Sequence, residues 1–234
     1  MDLEEYLATF GEVEKVPLTR FQQVVGKRLS QSWQAIPHVT HHDFVDVTNL
    51  DAHRQAMDKS EQISPLLYIV KALGKALESF PEFSSSLSED GKSLIMKRYA
   101  HVGVAIDGPL GLLVPVLRNV NSKSLAELAA ELSGFTVISR DKGLPVETMS
   151  GGSITVSSLG NVGGVAFSPI VNPPEVAILG VTPMRTIAFW TGENFEPRKE
   201  MTLSLSYDHR IINGVAAAKF VRCIADLMKE PNLL

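Results

Sequence analysis

The hydrophobic period of this chain changes from two to that of a helix within a few residues near its carboxyl end. From Leu203 to Asp208, apolar and polar residues alternate, which predicts a β-strand with one buried face. From Gly214 to Pro231, apolar residues recur at helical spacing. A strand followed at once by a long helix favours an α/β fold, because the two elements bury their apolar sides against each other.

His209 follows this strand in the same phase as its leucines, so we expect the imidazole to point toward the apolar face. Desolvation there would favour the neutral ring, which accepts a proton near neutral pH, and His209 is therefore a candidate general base. The alternative is a core histidine held by backbone hydrogen bonds. Asn213 is open to the same question, since it could serve only as the N-cap of the following helix.

The rest of the chain alternates between helical and strand patterns. Helices are predicted at 19–33, from the cap Ser64 with Pro65 to near Pro81, from the capping box at Ser124 to about Arg140, and after Asn213. Strands are predicted at 38–48, 94–106, 112–118, 153–157, 176–181, 186–190 and 201–208, with hairpin turns at 107–111 and 192–194. No repeat or linker interrupts them, so we predict one α/β domain with a mixed sheet flanked by helices.

Composition excludes several classes of protein. A net charge of −4 argues against a nucleic-acid surface or a polybasic membrane anchor. There is no apolar run of membrane-spanning length, and the acidic N-terminus is unlike a signal peptide. The single Cys223 excludes a disulfide framework and favours a reducing intracellular compartment. Residues 1–15 are acidic with scattered apolar side chains, which predicts an arm that packs on another surface.

Two motifs could suggest a ligand site, but neither a zinc site nor a dinucleotide-binding loop is favoured. His38, His41 and His42 lie close together in sequence, but no carboxylate or cysteine completes a zinc-ligand spacing, and adjacent residues of a strand face opposite sides. The glycine-rich loop at 160–164 lacks the dinucleotide-binding spacing. Its glycines are expected to permit a tight backbone path instead.

The serines before that loop, Ser157 and Ser158, are candidates of another kind. A serine hydroxyl in such a position can donate to a developing oxyanion. The alternative is a structural role, in which the serine hydroxyl only hydrogen-bonds the loop backbone. A Ser-His-Asp hydrolase is not indicated, because the chain has no G-x-S-x-G nucleophile elbow.

The segment from Leu205 to Gly214 resembles the active-site motif His-x-x-x-Asp-Gly of the dihydrolipoyl acyltransferases of 2-oxo acid dehydrogenase complexes, which chloramphenicol acetyltransferase shares. Further segments resemble signatures of this family in family order: 16–20, 32–40, 111–116, 157–160 and 231–234. Residues 97–105 and Asn213 resemble the bacterial pyruvate dehydrogenase branch, which makes acetyl the expected acyl group. The resemblance implies a chloramphenicol acetyltransferase-like fold.

The resemblance also implies roles for single residues. His209 would take the proton of the coenzyme A or dihydrolipoyl thiol, and Ser157 would hydrogen-bond the tetrahedral oxyanion. Asn213 stands where the family more often has Asp, so its part in catalysis is in question. Phe167 and Pro169 resemble residues that line the substrate channel. Coenzyme A is then a substrate, the lipoyl group is carried on a domain absent from this chain, and no metal is required.

In this family the histidine of one subunit faces the serine of its neighbour in a homotrimer, and trimers join into a cubic or dodecahedral core. The expected partners are a lipoyl domain and the decarboxylase and dihydrolipoyl dehydrogenase components. We expect an arm at 1–15 and a catalytic domain at 16–234, with lipoyl and peripheral-subunit-binding domains absent. The expected location is the bacterial cytoplasm, or the mitochondrial matrix in a eukaryote. The basic residues available for coenzyme A phosphates are Arg20, Arg28, Lys71, Lys97 and Arg118.

Two alternative functions stay open at this point. One is an enzyme of the same fold with another acyl group or acceptor, such as an antibiotic hydroxyl. The other is a non-catalytic scaffold, against which the presence of both His209 and Ser157 argues, because a scaffold needs neither a base nor an oxyanion donor.

Overall fold

A computed structural model describes residues 1–59, 61–108, 111–141, 143–160 and 162–234. Its strands are β1 His38–Asp46, β2 Ser85–Leu87, β3 Leu94–Met96, β4 Val102–Ala105, β5 Val116–Leu117, β6 Ile154–Ser158, β7 Ala177–Val181, β8 Arg185–Trp190 and β9 Phe195–Asp208. Its α-helices are α1 Leu3–Ala8, α2 Arg20–Ala35, α3 Thr48–Gln55, α4 Pro65–Ser79, α5 Leu125–Asp141 and α6 Gly214–Lys229.

Seven strands form one mixed sheet in the order β1-β9-β7-β6-β4-β5, with β8 paired to β9 outside this path. Strands β4, β6 and β7 run parallel, whereas β9 is antiparallel to β1, β7 and β8. Strands β2 and β3 form a separate two-stranded sheet. The predicted fold class, a mixed sheet flanked by helices, is confirmed.

The hydrophobic core lies on one face of the sheet, which we call the core face. Leu179 of β7 and Leu205 of β9 point into it, and α4 and α6 pack over it and against each other. Phe220 of α6 stacks on Phe83 with ring centroids 3.9 Å apart. Helix α4 begins as predicted, with the Ser64 hydroxyl accepting from the N–H of Leu66.

The opposite face of the sheet is lined with small and polar side chains, and we call it the polar face. In β9 the polar-face residues Ser204 and Ser206 are as fully buried as the leucines. The prediction of a strand with one buried face is therefore wrong. The serines tolerate burial because Ser206 hydrogen-bonds the hydroxyl of Thr40 at 2.8 Å and Ser204 hydrogen-bonds Nδ1 of His42 at 2.9 Å.

Several elements differ from the prediction. Helix α3 was not predicted; the carboxylate of Asp46 accepts from the N–H of Thr48 at 2.9 Å at its start. Residues 94–96 pair with β2, so only 102–106 and 113–117 form the predicted hairpin. Positions 109 and 110 of its turn lie outside the described residues. Strand β8 pairs with 195–200 instead of 201–208, because β1 and β7 occupy both sides of the latter.

Most side chains of the first 35 residues are exposed and make few contacts with the rest of the chain. Residues 1–20 are exposed throughout, including α1. On α2, the predicted apolar stripe remains open, with Val24 53%, Leu29 44% and Trp33 60% exposed. A capping box formed by Thr19 and Gln22 begins the helix. Among the described residues, no helix is both long and apolar enough to cross a membrane.

Candidate active site

The turn between β9 and α6 positions His209. The carbonyl of Asp208 accepts the N–H groups of Ile211 and Ile212 at 3.0 Å each, and this closes the strand into a turn. The Asp208 carboxylate also binds the guanidinium of Arg210 at 2.6 to 3.1 Å. His209 is therefore exposed, and the prediction of a desolvated imidazole on the apolar face is wrong within one chain.

Asn213 caps α6. Its side-chain oxygen accepts from the N–H of Ala216 at 2.9 Å, and its backbone has the extended conformation of an N-cap. The N-cap interpretation is confirmed. The cap also holds the turn that carries His209 against the start of the helix.

Ser157 lies near the carboxyl end of β6, between Ala105 of β4 and Gly180 of β7. Its half-buried side chain belongs to the polar face, because its register neighbour Gly180 pairs in turn with Ser204. A Cβ built on Gly180 would lie 2.7 Å from Cζ of Phe167, so the Phe167 ring covers the glycine beside Ser157. The structure thus brings Phe167 next to Ser157, while Pro169 is buried farther along the same segment.

The two catalytic candidates lie at opposite ends of the sheet. Ser157 is level with Ser204 across Gly180, and His209 follows Ser204 by five residues on an antiparallel strand. About 3.3 Å per residue along the strand and about 4.8 Å per strand across the sheet separate Ser157 and His209 by roughly 20 Å. A single chain therefore does not bring this hydroxyl and this imidazole together.

A cavity of about 330 Å³ opens beside Ser158, at the carboxyl ends of β6 and β7 and the start of α4. Ser158, Gly160, Thr182 and Arg54 contribute to its wall. The sequence offered no signal for Arg54, which arrives from α3 and donates through Nε to the carbonyl of Ile63 at 2.7 Å. Because adjacent residues of a strand face opposite sides, this cavity lies on the Ser158 side of β6 and not on the polar face that carries Ser157.

The loop after Ser158 takes the tight path expected of its glycines. Gly160, Gly163 and Gly164 all have positive φ, at 56°, 127° and 94°. Asn161 of this loop lies outside the described residues. The hydroxyl of Ser158 accepts from the N–H of Gly160 at 3.2 Å, so Ser158 supports the turn.

The basic residues offered for phosphate binding differ in availability. The ammonium of Lys71 is buried and donates to the carbonyls of Val120, Asn121 and Lys123, so Lys71 cannot serve a phosphate at the surface. Lys97 donates to the carbonyl of Gly152 at 3.0 Å, and Arg118 to those of Glu147 and Ser150. Arg20 and Arg28 are exposed on α2.

Two of the three histidines of β1, His38 and His42, have structural partners. The N–H of Val171 donates to Nε2 of His38 at 3.0 Å, and Nδ1 then donates to the carbonyl of Ile36 at 2.9 Å. Both nitrogens of this ring are therefore engaged and unavailable to a metal. Over the described ranges, no group of three or more His, Cys, Asp or Glu side chains is arranged to hold a metal ion.

Residues 10–234 match the family described as 2-oxoacid dehydrogenases acyltransferase (catalytic domain). The chain is 46% identical over 228 residues to the dihydrolipoyllysine-residue acetyltransferase component of the pyruvate dehydrogenase complex of Azotobacter vinelandii. This match covers 95% of the chain and 36% of that relative. A Pseudomonas aeruginosa protein of the same name is also 46% identical, over 96% of the chain and 42% of its own length. The chain thus spans about two fifths of these curated relatives.

Solved structures agree with this result. An A. vinelandii dihydrolipoamide acetyltransferase, investigated for the role of a serine, a histidine and an asparagine in its catalytic mechanism, superposes with a TM-score of 0.91 at 46% identity, over 95% of this chain and 94% of that one. The cubic core of a pyruvate dehydrogenase multienzyme complex gives the same values. Chloramphenicol acetyltransferase shares the fold at 13% identity, with a TM-score of 0.62 over 93% of this chain and 99% of that one.

Proposed function

This chain belongs to the acyltransferase family of the 2-oxoacid dehydrogenases, and from that membership we propose that it transfers acetyl groups between a dihydrolipoyl group and coenzyme A. Relatives that are 46% identical over most of the chain carry the name dihydrolipoyllysine-residue acetyltransferase, which supports acetyl as the acyl group. In this proposal the chain is the catalytic part of a pyruvate dehydrogenase complex core, and a separate domain carries the lipoyl group.

One observation carries the assignment of residues. In the A. vinelandii enzyme the histidine under investigation follows the serine by 52 positions and precedes the asparagine by four, and Ser157, His209 and Asn213 have the same spacing. We therefore assign His209 as general base, Ser157 as oxyanion donor and Asn213 as the residue that orients the histidine turn. Phe167 and Pro169 are proposed to line the channel to Ser157.

The chemistry needs a base, a donor and alignment. Nε2 or Nδ1 of His209 takes the proton of the attacking thiol, whose sulfur forms a bond to the thioester carbonyl carbon. The carbonyl oxygen becomes an oxyanion, to which the Ser157 hydroxyl donates. The intermediate collapses when the carbon–sulfur bond of the departing thiol breaks, and the imidazolium returns the proton to that sulfur. The exchange of one thioester for another needs no metal or redox partner.

The active site is proposed to form between two protomers of a homotrimer. The separation of roughly 20 Å within one chain supports this proposal, because a base and an oxyanion donor must reach the same carbonyl group. The exposed His209, the open stripe of α2 and the exposed segment 1–20 are consistent with a neighbouring protomer. The likeness to a cubic core supports a further assembly of trimers.

Coenzyme A is proposed to enter through the cavity beside Ser158, at the carboxyl end of β6. Arg54 in the wall, not Lys71, is then the basic side chain nearest to this route. The partners in the complex would be a lipoyl domain and the decarboxylase and dihydrolipoyl dehydrogenase components. The bacterial relatives make the cytoplasm the proposed location.

The test is an assay of acetyl transfer from acetyl-CoA to free dihydrolipoamide, run beside the same assay with chloramphenicol. Transfer to dihydrolipoamide supports the proposal. Transfer to chloramphenicol alone would replace it with an antibiotic acetyltransferase, for which the 13% identity supports only the fold. Absence of transfer to either, with the oligomer intact, would favour a scaffold. The mass in solution distinguishes a trimer from a larger core and from a monomer.

A further inference from the structure

Glu175 is a buried carboxyl group that the mechanism above does not use. It lies just before β7 and is 6% exposed. Its N–H donates to the carbonyl of Asn172 at 3.0 Å, and the carbonyl of the preceding Pro174 accepts from the Ser86 hydroxyl at 2.6 Å. These hydrogen bonds hold the backbone at 174–175 in place, and the side chain of Glu175 points into the protein interior.

Neighbouring residues pack closely around the carboxyl group of Glu175. A Cβ on Gly152 would lie 2.5 Å from Oε1 of Glu175, and a Cβ on Gly103 would lie 2.7 Å from Oγ1 of Thr155. Oε2 of Glu175 and Oγ1 of Thr155 are both buried without a partner at hydrogen-bond geometry. Hydrogen-bonding groups of Thr155 lower the pKa of Glu175, so the two side chains face each other, although their contact falls outside ordinary hydrogen-bond geometry; polar atoms buried with so poor a contact are costly.

In the described part of the chain, the charged side chain that acts on Glu175 is Lys97. Lys97, from the segment after β3, donates to the carbonyl of Gly152 and attracts the carboxylate. Arg118, after β5, lies with Nη1 3.4 Å from the Cβ position of Gly151, and its other amino group is bound by two carbonyls. Burial raises the pKa of Glu175 to about 7, against the lowering effects of Thr155 and Lys97.

Thr155 connects this group to the proposed active site. It lies two residues before Ser157 on β6, so both side chains point to the polar face, about 7 Å apart along the strand. A neutral Glu175 can donate its proton to Oγ1 of Thr155. An ionised Glu175 instead places a negative charge on the face where the oxyanion develops, in a region of low dielectric where like charges repel over such distances.

We propose that Glu175 is a positioning residue for the Ser157 oxyanion site, acting through Thr155, and that acyl transfer requires its neutral form. The inference rests on the proposed acyltransferase function. Ionisation of Glu175 lowers kcat by roughly tenfold, as expected for two negative charges about 12 Å apart at an effective dielectric constant of about 20. Lys97 sets the pH at which this happens, because its cation favours the carboxylate.

The experiment measures kcat for acetyl transfer to dihydrolipoamide at saturating substrate between pH 6 and 9.5. The rate of wild type relative to that of Glu175→Gln is expected to fall with a midpoint near neutral pH, because the requirement for a neutral His209 is common to both proteins and cancels in the ratio. Glu147→Gln, which neutralises an exposed carboxyl of the same region, is the matched control and keeps the wild-type profile. A profile of Glu175→Gln identical to that of wild type would overturn the inference.

A second variant separates this role from a structural one. Lys97→Met removes the neighbouring cation, so the midpoint of the rate loss is expected to move to higher pH, whereas a midpoint that does not move contradicts the inference. Should Glu175→Gln fail to fold, the carboxyl of wild type can be titrated directly by isotope-edited infrared spectroscopy. Titration in the ordinary range near pH 4.5 overturns the inference as well. Loss of transfer in wild type at every pH would instead refute the acyltransferase proposal itself.

Discussion

Ser157 and His209 lie on the same β-sheet but at its opposite ends, roughly 20 Å apart by strand geometry. The arrangement follows from strand direction: β6 and β9 run antiparallel, and each residue lies at the carboxyl end of its own strand. Neither residue completes a site in one chain. A protein that uses both must bring the serine end of one protomer against the histidine end of another, and this relation makes the catalytic proposal testable without a ligand complex.

Mixing two inactive variants tests the shared site. Ser157→Ala and His209→Ala are expected to be nearly inactive alone and to recover activity when they are unfolded and reassembled together. In a cyclic trimer, every mixed assembly contains one site with both functional residues, so an equimolar mixture should recover roughly a quarter of wild-type activity. Reassembly of each variant alone is the control. Mixed trimers that remain inactive would contradict a site between protomers.

Single substitutions test the two roles. His209→Ala should lower kcat at least about 10²-fold through loss of the general base, while the mass of the oligomer is unchanged. Ser157→Ala should cost roughly 10²-fold if its hydroxyl meets the oxyanion. Ser122→Ala is the matched control, because that exposed hydroxyl donates to the carbonyl of Asn119, outside the proposed site, and should change kcat little. Near-normal turnover in either of the first two variants would remove that residue from the mechanism.

Gly180→Ala tests the placement of Phe167. The added methyl group would meet the Phe167 ring at 2.7 Å, so we expect the ring to shift and kcat/KM to fall several-fold. Phe167→Leu in the same chain should restore part of the loss, since a smaller side chain leaves room for the methyl group. Gly134→Ala on α5, where no atom lies within 4 Å, should leave activity unchanged. If the double variant is no better than Gly180→Ala, another contact is responsible.

Asn213 can be separated into a cap and a functional group. Asn213→Ala removes the acceptor for the N–H of Ala216 and should lower the free energy of unfolding by about 1 kcal/mol, measured in urea. Asn213→Asp keeps a capping oxygen and should keep stability. If the residue also orients His209, the aspartate variant will change kcat or its pH dependence. If Asn213→Asp has wild-type kinetics, the only role that remains for Asn213 is that of the N-cap of α6.

Stability should depend on pH through Glu175. The folded pKa of about 7 lies above the unfolded value of 4.5, so the folded state holds the proton more tightly. The contribution of this group is therefore most favourable below pH 4.5 and declines as the pH rises to about 7, by an amount of order 3 kcal/mol. Glu175→Gln should lack this decline when unfolding is followed between pH 5 and 8. An equal decline in both proteins would assign it to other groups.

Elements set by adjacent residues could be read from the order of amino acids. The caps Ser64, Ser124 and Asn213 each mark a helix that the structure contains, because a cap and its first turn lie within four residues. The family motifs likewise pointed to the residue types that acyl transfer needs. Their assignment as base and oxyanion donor still awaits the variants described above.

Features that depend on the pairing of strands distant in sequence could be determined only from the tertiary structure. Whether Ser204 is exposed or buried depends on β1 and β7 lying on both sides of β9, and no alternation within β9 records that. The same is true of the exposed His209, the glycine beneath Phe167, and Glu175 beside Thr155. Backbone propensity and capping act over a few residues, whereas burial, strand direction and the distance between Ser157 and His209 arise when segments far apart in sequence meet in the sheet.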